Sequence, residues 1–191
     1  MLPRSIFLIV TSLMLTSCIY VQRYPSNWSP PLQSDTECAG IAGVYENKGE
    51  KTDGGKIRLE LLLFPTWEIV YNRSITHVEI NQESNDIIKV IVWSEKKMIR
   101  EEIYSRANND FNCESGWISI NQPVHRTLSK FLLGINWGVN RLTRSDDGAL
   151  IVRVRDSGMG LFAVIPYAES DWLWFRFFQL KRDIGSYPEE K

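Results

Sequence analysis

Histidine and cysteine are both scarce in this chain of 191 residues, and the scarcity removes most metal and redox chemistry. The two histidines, His77 and His125, have no partner at metal-ligand spacing, whereas zinc sites need three or four His, Cys or carboxylate ligands. The three cysteines, Cys18, Cys38 and Cys113, form no Cys-x-x-Cys pair, which speaks against a zinc ribbon or a dithiol enzyme. Neither sign of charge dominates. A net charge of -1 gives no broad field for nucleic acid or anionic lipid. Long apolar runs are missing too: the greasiest stretch is about half of the ~20 residues a helix needs to cross a bilayer.

Local catalytic motifs are equally thin. Ser94-Glu95-Lys96-Lys97 matches Ser-x-x-Lys, but the serine ends a β-branched strand instead of opening a helix, and no Lys-Thr-Gly accompanies it. Lys51-Thr52-Asp53-Gly54-Gly55 lacks the Walker spacing and reads as a hairpin turn. Glu101 and Glu102 are adjacent in a strand and point to opposite faces, so they form no dyad. No catalytic residue, metal or cofactor is expected from these patterns, and no small-molecule ligand can be named.

What the chain does have begins at its N-terminus. Arg4 supplies a positive charge, Ile6-Phe7-Leu8-Ile9-Val10 through Leu15 an apolar segment, and Thr16 and Ser17 small residues before Cys18. Leu15-Thr16-Ser17-Cys18 resembles the lipobox of bacterial lipoproteins. The resemblance implies a signal peptide over residues 1–17, cleavage between Ser17 and Cys18, and lipid attachment at Cys18 through a diacylglyceryl thioether plus an amide-linked acyl chain such as palmitate. At about 0.8 kcal/mol per buried methylene, several long chains hold far more durably than one. Ile19, where Asp would favour inner-membrane retention in enterobacterial-type lipoproteins, points to the outer membrane, facing the periplasm. The partners expected are therefore the membrane, through this anchor, and a protein of the envelope, with no nucleic acid.

An exported domain with two further cysteines, Cys38 and Cys113, is expected to join them as a disulfide, because the periplasm is oxidising. Between the anchor and the domain, residues 18–37 carry Pro25, Pro30 and Pro31 among serines, the composition of an extended tether holding the domain clear of the lipid. Tyr20, Tyr24 and Trp28 within it are candidates for the headgroup interface. Residues 183–191 read as a polar tail.

The stretch 38–182 reads as strands. Ile57 to Phe64, Trp67 to Tyr71, Ile75 to Ile80, Ile87 to Trp93 and Lys97 to Tyr104 alternate or are β-branched. Gly134 to Thr143, Leu150 to Arg155, Gly160 to Tyr167 and Trp172 to Leu180 continue the series, with turns expected at Asp146-Asp147-Gly148 and Ser157-Gly158. Only Val124 to Leu133 has a helical pattern. The fold class expected is all-β and mainly antiparallel, a β-barrel or β-sandwich with meander hairpins and one or two short helices at most. Trp172, Trp174, Arg176 and Phe178 share one face of the last strand, and Leu173, Phe175 and Phe177 the other. Core packing is the default for such a strand; the alternative is a platform for sugar, peptidoglycan or a lipid tail. Arg176 beside Trp174 is a candidate cation–π pair, while Arg153 and Arg155 read as a solvated strand face.

Gly43-Val44-Tyr45 on the first strand of the domain, with Arg176 on the last, resembles the Gly-x-Trp and late arginine of lipocalin and related calycin barrels, with Tyr in place of Trp. That resemblance implies a cavity for a small apolar ligand. Three functions follow: an envelope lipoprotein with a structural or protein-interaction role and no catalysis, a calycin-like binder, or a cell-wall or lipid-acting enzyme whose site is dispersed along the chain.

Overall fold

Alternation of β-branched and charged residues is realised as two stacked sheets in the computed structural model of the chain, which describes residues 19–32, 38–64, 74–122, 124–128, 132–162 and 165–181. In chain order come β1 (Ile19–Val21), β2 (Gly43–Glu46), β3 (Lys48–Lys51), β4 (Lys56–Arg58), the short helix α1 (Leu59–Leu63), β5 (His77–Gln82), β6 (Ile87–Ser94) and β7 (Lys97–Ser105). The second half holds β8 (Phe111–Glu114), β9 (Trp117–Asn121), β10 (His125–Leu128), β11 (Leu132–Arg144), β12 (Leu150–Phe162) and β13 (Ile165–Phe177). The smaller sheet has the order β2-β5-β6-β7 and the larger β4-β3-β13-β12-β11-β9-β8, with β10 added to β11 and β1 to β13. All pairings are antiparallel except that of β1 with β13.

The inner faces meet in one core. Tyr45, Val78, Ile80, Ile88, Val90 and Val92 from the small sheet pack with Phe111, Ile118, Leu142, Leu150, Val152, Phe175 and Phe177 from the large one. The two-residue period of a strand explains the selection: Ile88, Val90 and Val92 face inward, while Ile87 and Lys89 do not. Burial pushes the Tyr45 phenol up to about 12, and its hydroxyl donates to the Ile41 carbonyl at 2.9 Å. The sheets do not close into a barrel. The segment after β13 pairs with β2, through Glu46 N–H to the Phe178 carbonyl and Leu180 N–H to the Val44 carbonyl, and joins one corner. At the other side β7 and β8 do not pair; Cys38 and Cys113 form a disulfide there, with Cα atoms 4.9 Å apart. This is the pairing expected from the sequence, and it spans 75 residues.

Local turn chemistry acts where expected. Gly54, Glu95 and Gly148 take positive φ in the β3–β4, β6–β7 and β11–β12 connections. Four expectations are corrected. Leu59–Leu63 is helical, because leucine is a strong helix former and Leu59 and Leu63 share a buried face one turn apart. Asn47 fixes that helix start: its carbonyl accepts from Leu59 N–H at 2.8 Å and its side-chain oxygen from Glu60 N–H at 3.1 Å. Val124 to Leu133 is not a helix; Arg126 pairs with Ile135 and Leu128 with Leu133, since the edge of β11 satisfies backbone groups that a lone short helix would not. Ser157-Gly158 is not a turn; β12 runs through it, and Ser157 and Ser170 hydroxyls meet across the strands at 3.0 Å.

The last correction concerns the tether. Residues 19–32 lie against the large sheet: β1 pairs with 170–172, Leu32 N–H bonds the Arg144 carbonyl at 2.7 Å, and Trp28 is buried. Proline content set the local conformation correctly but not the docking of Tyr24 and Trp28. Ser17, Cys18, residues 33–37, the expected strand Trp67 to Tyr71 and the tail 183–191 lie outside the described residues.

Candidate interaction surface

The outer face of the large sheet has three zones along its strands. At the body end, the N-terminal strap covers it. Tyr24 meets Trp174 edge-on at 5.0 Å and Trp28 at 6.0 Å, and the Trp174 indole N–H donates to the Gln22 carbonyl at 2.9 Å. Ile151, Trp28 and Trp174 form a second small core under this strap. Trp174 of the outward row of the last strand is therefore core, packed against the chain's own beginning, while Trp172 and Arg176 are half-buried and Phe178 is exposed.

The middle zone interleaves arginines with tryptophans. β12 and β13 pair Arg153 with Trp174 and Arg155 with Trp172, and β11 brings Arg141 opposite Arg153. The Arg153 guanidinium lies 3.9 Å from the Trp172 ring centroid and 4.9 Å from that of Trp174. Arg141 lies over Trp117 at 5.5 Å, and Arg155 over Trp172 at 5.5 Å. Ring faces carry partial negative charge, which is why cations settle there. Burial first, then repulsion from Arg141, holds Arg153 below the usual guanidinium range. Among the described residues neither Arg153 nor Arg155 is ion-paired, and Arg141 has only Glu114 at 4.0 Å. The zone therefore presents cations with donors to spare, suited to phosphate or carboxylate groups. Arg176 does not pair with Trp174 as expected; it bonds Asp147 and lies over Phe178 at 4.6 Å.

The third zone is an arm. β11, β12 and β13 are each 13 residues long, and their outer halves run past the small sheet, which packs only against the body halves. Leu133, Ile135, Met159 and Leu161 on its outer face are 41–51% exposed, and Ile165 near the tip is 64% exposed. The glycine at 160 serves close approach and not a turn. A Cβ there would run into the Leu133 carbonyl and the Gly134 Cα, and the Tyr167 ring covers the space instead.

The remaining sequence candidates disperse. His77 stacks on Trp93 with centroids 6.0 Å apart and bonds the Thr76 hydroxyl at 2.9 Å, and burial lowers its pKa against a smaller pull from Glu79. His125 lies on β10 of the large sheet, whereas His77 lies on β5 of the small one. Glu101 is ion-paired with Lys89 and Glu102 with Arg100, each on its own face of β7. No group of three His, Cys, Asp or Glu able to hold a metal occurs among the described residues. A shallow cleft of about 420 Å³ beside α1, lined by Asn47, Lys56, Ile57, Arg58, Leu61 and Ile75, adjoins the buried Arg58–Glu60 ion pair. Tyr45 and Arg176, the residues behind the calycin resemblance, do not stack: Tyr45 is in the core, and Arg176 is on the outer face.

The arginine–tryptophan zone and the exposed arm were missed from sequence alone. The signal was there as two alternations in phase, Arg153 and Arg155 on one strand and Trp172 and Trp174 on the next, but it becomes visible only once the register is fixed. Comparisons with protein-family models, with curated proteins and with solved structures find no match.

Proposed function

We propose that the chain is a lipoprotein of the bacterial envelope, anchored through Cys18 and doing structural or protein-interaction work at the periplasmic face of the outer membrane. The observation that carries this reading is Leu15-Thr16-Ser17-Cys18 behind a short apolar leader. Two structural facts support it. The Cys38–Cys113 disulfide belongs to an oxidising compartment. Arg153 and Arg155 of the large sheet, without an ion-pair partner among the described residues, offer contacts to anionic groups. The calycin-like alternative loses its footing, since the sheets are not closed and Tyr45, Phe175 and Phe177 fill the space between them.

Mass spectrometry of the N-terminal peptide, from protein made in a host that processes lipoproteins, tests the anchor. Cys18 carrying diacylglyceryl and acyl groups is the expected result. An unmodified terminus, or a Cys18→Ser chain that fractionates with membranes as before, overturns it.

A further inference from the structure

The outer halves of β11, β12 and β13 carry no charge, while on the flanking strand β10 Arg126 stands exposed beside Ile135. No charged residue occurs from Ser157 to Ala168 or from Phe131 to Asn140. On the outer face Ile135, Met159 and Ala168 form one cross-strand row, and Leu133, Leu161 and Pro166 the next. The inner face opposite presents Gly134, Gly160 and Tyr167. From Met159 to Phe162 this charge-free stretch measures about 10 Å at ~3.3 Å per residue. Immediately behind it come half-buried Trp137 and Trp172, and Arg155 with Arg153 on the outer face, while Asp156 and Asp171 take the inner one. An apolar end followed by tryptophan and arginine is the order in which a bilayer interface arranges side chains.

The chain's own N-terminus says what covers this surface. β1 starts at Ile19 opposite Ser170, at the inner limit of the charge-free stretch. Ile19 directly follows Cys18 in the sequence, and consecutive Cα atoms are about 3.8 Å apart. Acyl chains on Cys18 would bring a leaflet to the end of the sheet that carries Met159 and Leu161, two strand spacings or about 10 Å from β1. We propose that the outer part of the arm is seated in the leaflet that holds those acyl chains, with the arginines of the middle zone at its phosphates. This rests on the lipid-anchored reading above. The seat is shallow, because among the described residues nothing pairs with the outer edge of β13 over 165–169, and its backbone groups need hydrated headgroups. The N-terminal segment is thus a clamp that fixes the arm to the surface and not a spacer that lifts the domain away from it.

The test places p-benzoylphenylalanine in the full chain at Met159, or at exposed Ile103 on the small sheet, and irradiates envelope membranes. Lipid-mass adducts at position 159 in clear excess over position 103 are expected, and Leu161→Asp lowers them about tenfold. Protein adducts alone at 159, or equal lipid yields at the two positions, overturn the proposal. The N-terminal mass from the same sample separates the two claims. An acylated Cys18 without adducts at 159 removes the seated arm and leaves the anchor, whereas an unmodified Cys18 removes the anchor.

Discussion

Strands β11, β12 and β13 build two different surfaces from the same kind of residue. In the body half, Leu142, Leu150, Val152, Phe175 and Phe177 are buried because the small sheet lies across them. In the arm half, Leu133, Ile135, Met159 and Leu161 are just as apolar and stand open, because they lie on the opposite, outer face, beyond the strap that covers Ile151 and Trp174 at the body end. Hydrophobicity of a strand therefore does not decide burial; an opposing layer does. In the proposed account, the lipid leaflet that holds the N-terminal acyl chains supplies the arm's missing layer.

The contrast can be broken by perturbing each region in turn. Replacing Cys38 and Cys113 by serine together opens a loop of 75 residues in the body and costs about 4 kcal/mol in the chain-entropy picture, read by urea unfolding of the full chain. Phe177→Ala leaves a cavity between the sheets and costs about 3 kcal/mol by the same measurement. Leu161→Ser in the arm changes unfolding by about 0.5 kcal/mol or less, because it removes no packed neighbour. If Leu161→Ser costs as much as Phe177→Ala, the arm is part of the core and the distinction between the regions fails.

Legibility in the sequence follows the same division. Connections governed by a few neighbouring residues were readable: Lys51 to Gly55, Ser94 to Lys97 and Asp146 to Gly148 are all turns. The disulfide followed from compartment and parity. The all-β class followed from repeated alternation. What failed depended on contacts distant in sequence. A leucine run at 59–63 fits both helical and strand periods until Asn47 caps it. Gly158 signals a turn or a close approach equally well, and the register opposite Asn136 and Glu169 decides for the latter. Pro25, Pro30 and Pro31 describe an extended chain, but only Trp174 and the Arg144 carbonyl make it a strap. Arg153 looked solvated because its partners, Trp172 and Trp174, sit on the next strand.

Amide hydrogen exchange compares arm and body most directly. The acylated chain in proteoliposomes is set against the Cys18→Ser chain free in solution. Exchange at Ala168, whose N–H faces the outer edge of β13 that is unpaired among the described residues, is predicted to slow in the lipid-bound form while β5, β6 and β7 stay unchanged. Equal exchange at that edge in both forms would contradict a membrane-seated arm.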